Sequence, residues 1–334
     1  MPLLRHRLAR KSLIVMMLMV LFDNTSLHTQ QRKSTSRVEP TASSASVQKG
    51  EGGYNIRANV DLVILHTTVI DGDGRFVPDL RKENFRVFED RIEQKLSLFS
   101  PEDVPVTMGL VIDNSGSMRE KRAQVVAAAM SFVQTSNPQD EIFVVNFNDK
   151  WYLDLKEDFT SDLGELYQAL SRIDASAGTA LYDAVLLSLS HIKKGHKDKK
   201  VLLVITDGDD DASRASFAQT VETAEESRAT IYTIGLFSRS DQEDDIKMVQ
   251  RSKKALKTLA EATGGVAYFP DEIGRVDLIC TKIAREIREQ YTLGYYPTNT
   301  ARDGKFRVVR VRVEPPKGKG KLIAHTRPGY YPVR

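Results

Sequence analysis

The sequence predicts an α/β fold: a doubly wound, mostly parallel sheet, with β segments before and after it in the chain. Two observations lead there. Between Val106 and Gln290, near-continuous apolar runs alternate with helical patterns, as in parallel sheets covered on both faces. On either side of that region the pattern changes to half-buried strands with turn signals and no long helix.

The chain starts "MPLLRHRLARKS", with Arg5, Arg7, Arg10 and Lys11, continues through the apolar run Leu13 to Phe22, and exits into "DNTSLHTQQ". A basic start, a short apolar run and a polar exit read as a secretory signal over residues 1–27. The run is about half the length of a membrane-spanning helix. No A-x-A-like cleavage pair follows it, so retention as an N-terminal membrane anchor stays open beside cleavage. Residues 28–53 are rich in Ser, Thr, Gln, Lys and Gly and predict a linker too polar to fold alone.

Residues 54–104 form the first β segment. "NVDLVILHTTVID" is β-branched and ends at "DGDG", "FRVFED" and "QKLSLF" alternate, and "PDLRKENF" reads as a turn or a single helical turn. About three strands are too few to stand alone. Residues 105–290 hold the alternating region. Its strands are "VTMGLVI", "EIFVVNF", "KVLLVIT", "ATIYTIGL" and "GVAYF", with "WYLDLKED" as a further edge strand. Its helices are "REKRAQVVAAAMSFVQ", "ALYDAVLLSLSHIKK", "KALKTLAEATGG", whose Gly pair suits a C-cap, and "VDLICTKIAREIREQ", which puts Val276, Ile279, Cys280, Ile283 and Ile287 on one stripe. Residues 291–334 return to strands: "YTLGYYP", "FRVVRVRVE" and "KLIAHTRPGYY". The two flanks together are expected to make one β-sandwich-like module around the inserted α/β region.

Composition limits the function classes. The 334 residues carry 48 Lys+Arg against 45 Asp+Glu, a net charge of +3, which gives no reason to expect nucleic-acid binding. The single cysteine, Cys280, cannot form an intramolecular disulfide. On its apolar stripe it reads as a buried, inert thiol. "SHIK" (Ser190 to Lys193) matches S-x-x-K without the companion motifs of acyl-transfer enzymes. The histidines lack metal-ligand spacing, and no phosphate-cradling G-x-x-x-x-G-K-[ST] is present.

The chemistry gathers at strand ends. "VIDNSGSM" leaves an apolar strand and at once places Asp113, Ser115 and Ser117 at alternate positions, with Gly116 allowing a tight turn. Asp207 ends a second strand in "LLVITDGDDD", and Thr179 in "SAGTALYDA" precedes a helix. Ligands of doubly wound sheets bind outside the carboxyl ends of strands, so these five side chains can converge. Two carboxylates and three hydroxyls suit a small, hard cation such as Mg2+, which keeps several waters; Mn2+ takes the same donors. The bland reading of Asp113 to Ser117, an Asx-type turn capping the next helix, explains neither Thr179 nor Asp207.

The D-x-S-x-S sequence, the separate Thr179 and the "TDG" turn at Asp207 resemble the metal-ion-dependent adhesion site of von Willebrand factor A domains, over about Val104 to Gln290. The resemblance implies direct ligation by Ser115, Ser117 and Thr179. It implies that Asp113 and Asp207 act largely through bound water, and that a carboxylate from a protein partner fills the open metal position. With the flanks included, the chain resembles a bacterial subfamily of von Willebrand factor A-related proteins frequent in Acidobacteria. The expected function is extracytoplasmic, metal-dependent protein binding without catalysis. Any membrane contact is expected only through an uncleaved N-terminus. An intracellular assembly or adaptor factor, and a metal-dependent hydrolase, are the other readings. An adaptor has no use for residues 5–22, and a hydrolase needs a general base or nucleophile beside the metal.

Other acidic and basic runs are expected to be bland. "DGDDD" lacks calcium-loop spacing, so Asp209 to Asp211 are expected in solvent. "DGDG" at 71–74 is expected to be a turn. Lys193 to Lys200 and Lys317 to Lys321 are expected in solvated loops.

Overall fold

The computed structural model describes residues 61–101, 103–172, 178–208, 210–237, 246–332. The signal or anchor expected over 1–27 and the linker over 28–53 lie outside the described residues, as does Asp209. Among the described residues no helix is long and apolar enough to cross a membrane.

The central sheet has six strands in the order β10-β9-β8-β5-β6-β7. They are β5 (Val106–Asp113), β6 (Glu141–Phe147), β7 (Trp151–Leu153), β8 (Lys199–Thr206), β9 (Ala229–Gly235) and β10 (Ala267–Tyr268). All neighbours pair in parallel except the edge strand β7, which returns antiparallel along β6. Every residue of β5 is buried, which is why its sequence does not alternate: both faces are covered. Helices α1 (Arg122–Gln134), α2 (Leu163–Leu170) and α6 (Val276–Arg288) cover one face, sharing a core with Leu110, Ile112, Val144 and Leu203. Helices α3 (Leu181–His191), α4 (Phe217–Glu226) and α5 (Ile246–Ala262) cover the other, around Val111, Phe143, Val145 and Leu202. The doubly wound, mostly parallel architecture is the one expected.

Cys280, Ile283 and Ile287 lie buried on α6, and burial pushes the Cys280 thiol up to about 12, as befits an inert side chain. Helix α5 ends at Ala262 and is closed by Gly264, whose φ is +83°. Its N–H donates to Glu261 O at 3.1 Å, and Gly265 N–H donates to Ala260 O at 3.0 Å, a left-handed C-cap. A Cβ on Gly264 would stand 2.3 Å from the backbone nitrogen of Arg327. Gly264→Ala is therefore expected to cost about 1–3 kcal/mol; an unchanged urea midpoint would refute this account of the cap.

The flanks build two further four-stranded sheets, ordered β13-β1-β11-β4 and β14-β12-β2-β3. Their strands are β1 (Val63–Ile70), β2 (Phe85–Glu89), β3 (Ile92–Gln94), β4 (Leu96–Ser100), β11 (Tyr291–Tyr295), β12 (Arg307–Val313), β13 (Ile323–His325) and β14 (Gly329–Tyr330). Each sheet mixes strands from before and after the α/β region, and both contribute to one core that includes Leu65, Val87, Tyr291, Leu293, Tyr295 and Val309.

Local expectations fare unevenly. "QKLSLF", expected as one strand, breaks at Lys95, and its halves enter different sheets; "KLIAHTRPGYY" divides in the same way into β13 and β14. These corners let a short chain line both faces of one core. "DGDG" is a turn as expected: Asp71 Oδ1 accepts from the N–H groups of Asp73 and Arg75, each at 2.9 Å. The basic run at 193–200 departs from expectation. Lys199 and Lys200 open β8, and Lys199 is buried, its ammonium donating to Ile287 O.

Candidate functional site

Asp113 ends β5 at the carboxyl edge of the sheet, beside the end of β8 that carries Asp207. Asn114 fixes the turn that follows. Its N–H donates to Phe147 O at 2.6 Å, its Nδ2 donates to Arg172 O at 3.3 Å, and its Oδ1 accepts from Arg122. A single turn of 3-10 helix, Gly116–Met118, then carries Ser117 back over the strand end.

The side chains form a connected chain of oxygens. Ser115 Oγ and Ser117 Oγ are 3.0 Å apart, and Ser117 Oγ donates to Asp207 Oδ1 at 2.8 Å. Asp113 Oδ1 accepts from Ser115 N–H at 2.8 Å, and Asp113 Oδ2 accepts from Thr206 Oγ1 at 2.6 Å. Thr179 is tied in through Gly208. A Cβ built there would lie 3.4 Å from Thr179 Oγ1 and 3.9 Å from Asp113 Oδ2, so the glycine keeps open the space between those two donors. Asp113, Ser115, Thr179 and Asp207 are buried, whereas Ser117 is exposed. The five sequence-selected side chains thus gather at one edge of the sheet, with Ser117 exposed to solvent.

Burial is the main force on Asp113, pushing its carboxyl up to about 6; hydrogen bonds from Thr206 and Ser115 oppose this, and Asp207 adds a smaller repulsion. Repulsion between the two carboxylates is secondary, because Asp207 has its own counter-charge. Lys121 Nζ lies 2.5 Å from Asp207 Oδ2 and donates to Leu236 O at 3.0 Å. The sequence reading overlooked Lys121, four residues after Ser117, and Thr206, which precedes Asp207.

Asp211 is exposed as expected and Asp210 is half-buried, and both also brace the Thr179 loop. Asp211 Oδ1 accepts from Thr179 N–H at 2.7 Å, while Thr179 O accepts from Asp211 N–H at 3.1 Å. Asp210 Oδ1 accepts from Tyr182 N–H at 3.2 Å and from Ser213 Oγ at 2.5 Å. Both carboxylates meet the free N–H groups that precede or open α3, a favourable place for negative charge. Ala180 N–H donates to Asn148 O at 2.5 Å, pinning the same loop to the end of β6.

The donor set fits a hard divalent cation: five oxygen-bearing side chains, two of them carboxylates, around space a side chain at 208 would fill. Among the described residues no three His, Cys, Asp or Glu converge as a metal cluster.

The sequence profile of the von Willebrand factor type A domain matches residues 108–209, which contain all five side chains. Over 199 residues the chain is 25% identical to inter alpha-trypsin inhibitor heavy chain 4 of Mus musculus, covering 55% of this chain and 20% of that protein. Over 145 residues it is 25% identical to the uncharacterized protein sll0103 of Synechocystis sp., covering 42% of this chain and 34% of that one. The chain therefore spans about a fifth to a third of the length of these relatives. Among solved structures it is similar to a von Willebrand factor type A protein from Catenulispora acidiphila, with TM-score 0.48, 13% identity, 81% of this chain and 74% of that chain. It is also similar to the vWF domain of the type V pili tip protein Mfa5 from Porphyromonas gingivalis, with TM-score 0.45, 14% identity, 55% of this chain and 95% of that chain. The profile match lies on β5, β8 and the loops that carry the oxygen donors, so the likeness to the von Willebrand factor type A domain falls on the part of the chain that holds the site.

Proposed function

We propose that this chain is a protein-binding module that captures an acidic group of a partner protein through a Mg2+ ion, with Mn2+ able to replace it, outside the cytoplasm and without catalysis. The observation that carries the reading is the buried carboxylate of Asp113, joined at the sheet edge by Ser115, Ser117, Thr179 and Asp207. A buried carboxylate with only hydroxyl and N–H partners is costly unless a cation joins it. Ser115, Ser117 and Thr179 would hold the metal directly, and Asp113 and Asp207 would hold its waters. When bound, the metal would supply positive charge and a coordination position for a partner's carboxylate. This chain's own residues do the positioning. Lys121 holds Asp207 Oδ2 so that Oδ1 meets Ser117, and Asp211 fixes the backbone of Thr179. No histidine or cysteine stands among these side chains, which favours binding over hydrolysis. The export reading rests on the basic and apolar start of the chain.

The test is calorimetric titration of the full chain with Mg2+ and Mn2+, followed by partner capture from the source organism with and without chelator. Saturable metal binding and chelator-sensitive capture are expected. Capture that survives chelator would sink the metal-bridged reading. Asp211→Ala, which removes a brace and not a ligand, is expected to weaken Mg2+ about tenfold, and Asp211→Asn to recover most of that loss. Equal affinity in wild type and Asp211→Ala would show that the Thr179 loop needs no such support.

A further inference from the structure

At the opposite edge of the central sheet, where β8 and β9 begin, the β module leaves a cleft of about 970 Å3 against the α/β region. That volume suits a small organic ligand. One wall is the outer face of the sheet containing β1, β11 and β4, and strand register arranges its residues in two rows. His66, Thr292 and Ser100 stand side by side in a polar row, and Ile64, Gly294 and Leu98 in an apolar one. Ile64 and Leu98 are 36% and 38% exposed. A Cβ on Gly294 would lie 2.8 Å from Leu98 Cβ and 3.2 Å from Ile64 Cδ1, so the glycine leaves a shallow apolar notch between them.

The facing wall carries positive charge. Lys199 and Arg327 both line the cleft, and Arg228 stands at its exposed rim. Lys199 is 4% exposed. Its ammonium donates to Ile287 O, while Arg327 donates to Gly329 O at 2.6 Å and Glu225 O at 2.7 Å. Among the described residues no carboxylate lies within ion-pair distance of Lys199, Arg228 or Arg327. The cleft's other charges differ. Lys197 and Arg302 are paired with Glu141 and Asp61, and Asp198 and Glu226 project at the exposed rim. Among Lys199, Arg228 and Arg327, Lys199 is the buried one and Arg327 is half-buried. The carboxylates that act on them, Asp103 and Asp140 on Lys199 and Glu225 on Arg327, do so from beyond contact. A buried cation without a contacting counter-charge is rare because its desolvation is poorly offset. Burial and the nearby Arg288 depress the Lys199 ammonium to about 7. His66, on β1 and within reach of the charge of both Lys199 and Arg327, is held neutral by burial and by that charge, leaving its ring as a hydrogen-bonding group.

We propose that this cleft is a second binding site, for a small organic anion whose apolar body lies on Ile64, Gly294 and Leu98 and whose carboxylate or phosphate is held by Lys199 and Arg327. The site is independent of the metal reading. It lies at the amino ends of the parallel strands, away from Asp113.

The probes are octanoate, octyl phosphate and octanol, titrated into the full chain by calorimetry. Octanoate or octyl phosphate is expected to bind one to one, the tighter of the two identifying the headgroup, and octanol at least about tenfold more weakly. Lys199→Met is expected to weaken the anion at least about tenfold, Leu98→Asp to abolish binding, and Asp113→Ala to leave it unchanged. Because Lys199→Met removes a buried hydrogen bond, Arg228→Gln at the exposed rim gives a second reading, with an expected loss of about threefold in a chain that folds normally. The proposal is overturned if neither anion binds at about 10 mM, if octanol binds as well as octanoate, or if folded Lys199→Met and Arg228→Gln both bind like wild type.

Discussion

Asp113→Asn is expected to abolish the response of the protein to magnesium and to raise the melting temperature of the metal-free protein. Both effects have one cause. Asp113 is 1% exposed, and burial pushes its carboxyl up to about 6 from 3.8. The folded-state value lies above the unfolded one, so the folded chain holds the proton more firmly. Metal-free stability therefore falls as pH rises from about 4 to about 6 and stays low above that window. A shift of about two units corresponds to roughly 3 kcal/mol, or about 5–10 °C in melting temperature for a chain of this size. The amide of Asn carries no charge to desolvate, can accept from Ser115 N–H and can donate to Thr206 Oγ1. At pH 7.5 with chelator it should melt several degrees above wild type. With Mg2+ the order should close or reverse, because only the carboxylate gains from the ion. A chain that keeps a destabilising carboxylate where an amide would be cheaper has traded stability for a site. A magnesium-dependent melting shift retained in Asp113→Asn would remove Asp113 from the site.

How much of this was legible in the sequence depends on the range of the interaction. Asp113, Ser115, Ser117, Thr179 and Asp207 were readable because each follows an apolar run or opens a helix, and strand ends on one sheet edge converge whatever the details of packing. Lys121 was not, since a lysine before a helix is ordinarily solvated, and only the fold brings it under Asp207. Asp210 and Asp211 looked like a solvated acidic run because their partners are backbone N–H groups about 30 residues earlier. Two helices were overlooked although their caps were written out. Asp162 with Glu165 opens α2, and Ser216 with Gln219 opens α4, each cap side chain accepting the third residue's N–H. Their lengths, 8 and 10 residues, gave the apolar period little room to show. The cleft had no sequence signal. Lys199 and Arg327 are far apart in the chain, the first read as part of a solvated basic run and the second as part of a strand segment. The sheet changes at Lys95 and between β13 and β14 were hidden for a related reason, because a strand's alternation says which face is apolar but not which sheet it joins.

Tyr291→Ala is expected to lower the stability of the whole described unit by about 4–5 kcal/mol, and Tyr291→Phe by about 1–2 kcal/mol. Tyr291 opens β11, which lies between β1 and β4 at the centre of its sheet. It is 2% exposed. Its ring lies 5.0 Å from that of Phe85 and 5.9 Å from those of Phe76 and Phe99, so truncation empties an aromatic cluster. Its hydroxyl donates to Val77 O at 2.8 Å and accepts from Leu80 N–H at 3.1 Å, and Tyr291→Phe leaves both buried groups unpaired. The damage should not stay in the β module. Gln290, the preceding residue, joins Thr68 of β1 at 3.1 Å to Tyr232 of β9 at 3.3 Å. Arg288 at the end of α6 holds Asp103, in the segment that leads from β4 to β5, and Arg327 reaches Glu225 O on α4. These ties cross from the β sheets to the α/β layers, so the two should unfold together. The chain's single tryptophan, Trp151, sits on β7 of the central sheet and reports on the α/β part alone. In urea, its fluorescence transition is expected to move with the circular-dichroism transition in Tyr291→Ala. A Trp151 transition that stays at the wild-type midpoint would show instead that the α/β region is stable without the module built from its flanks.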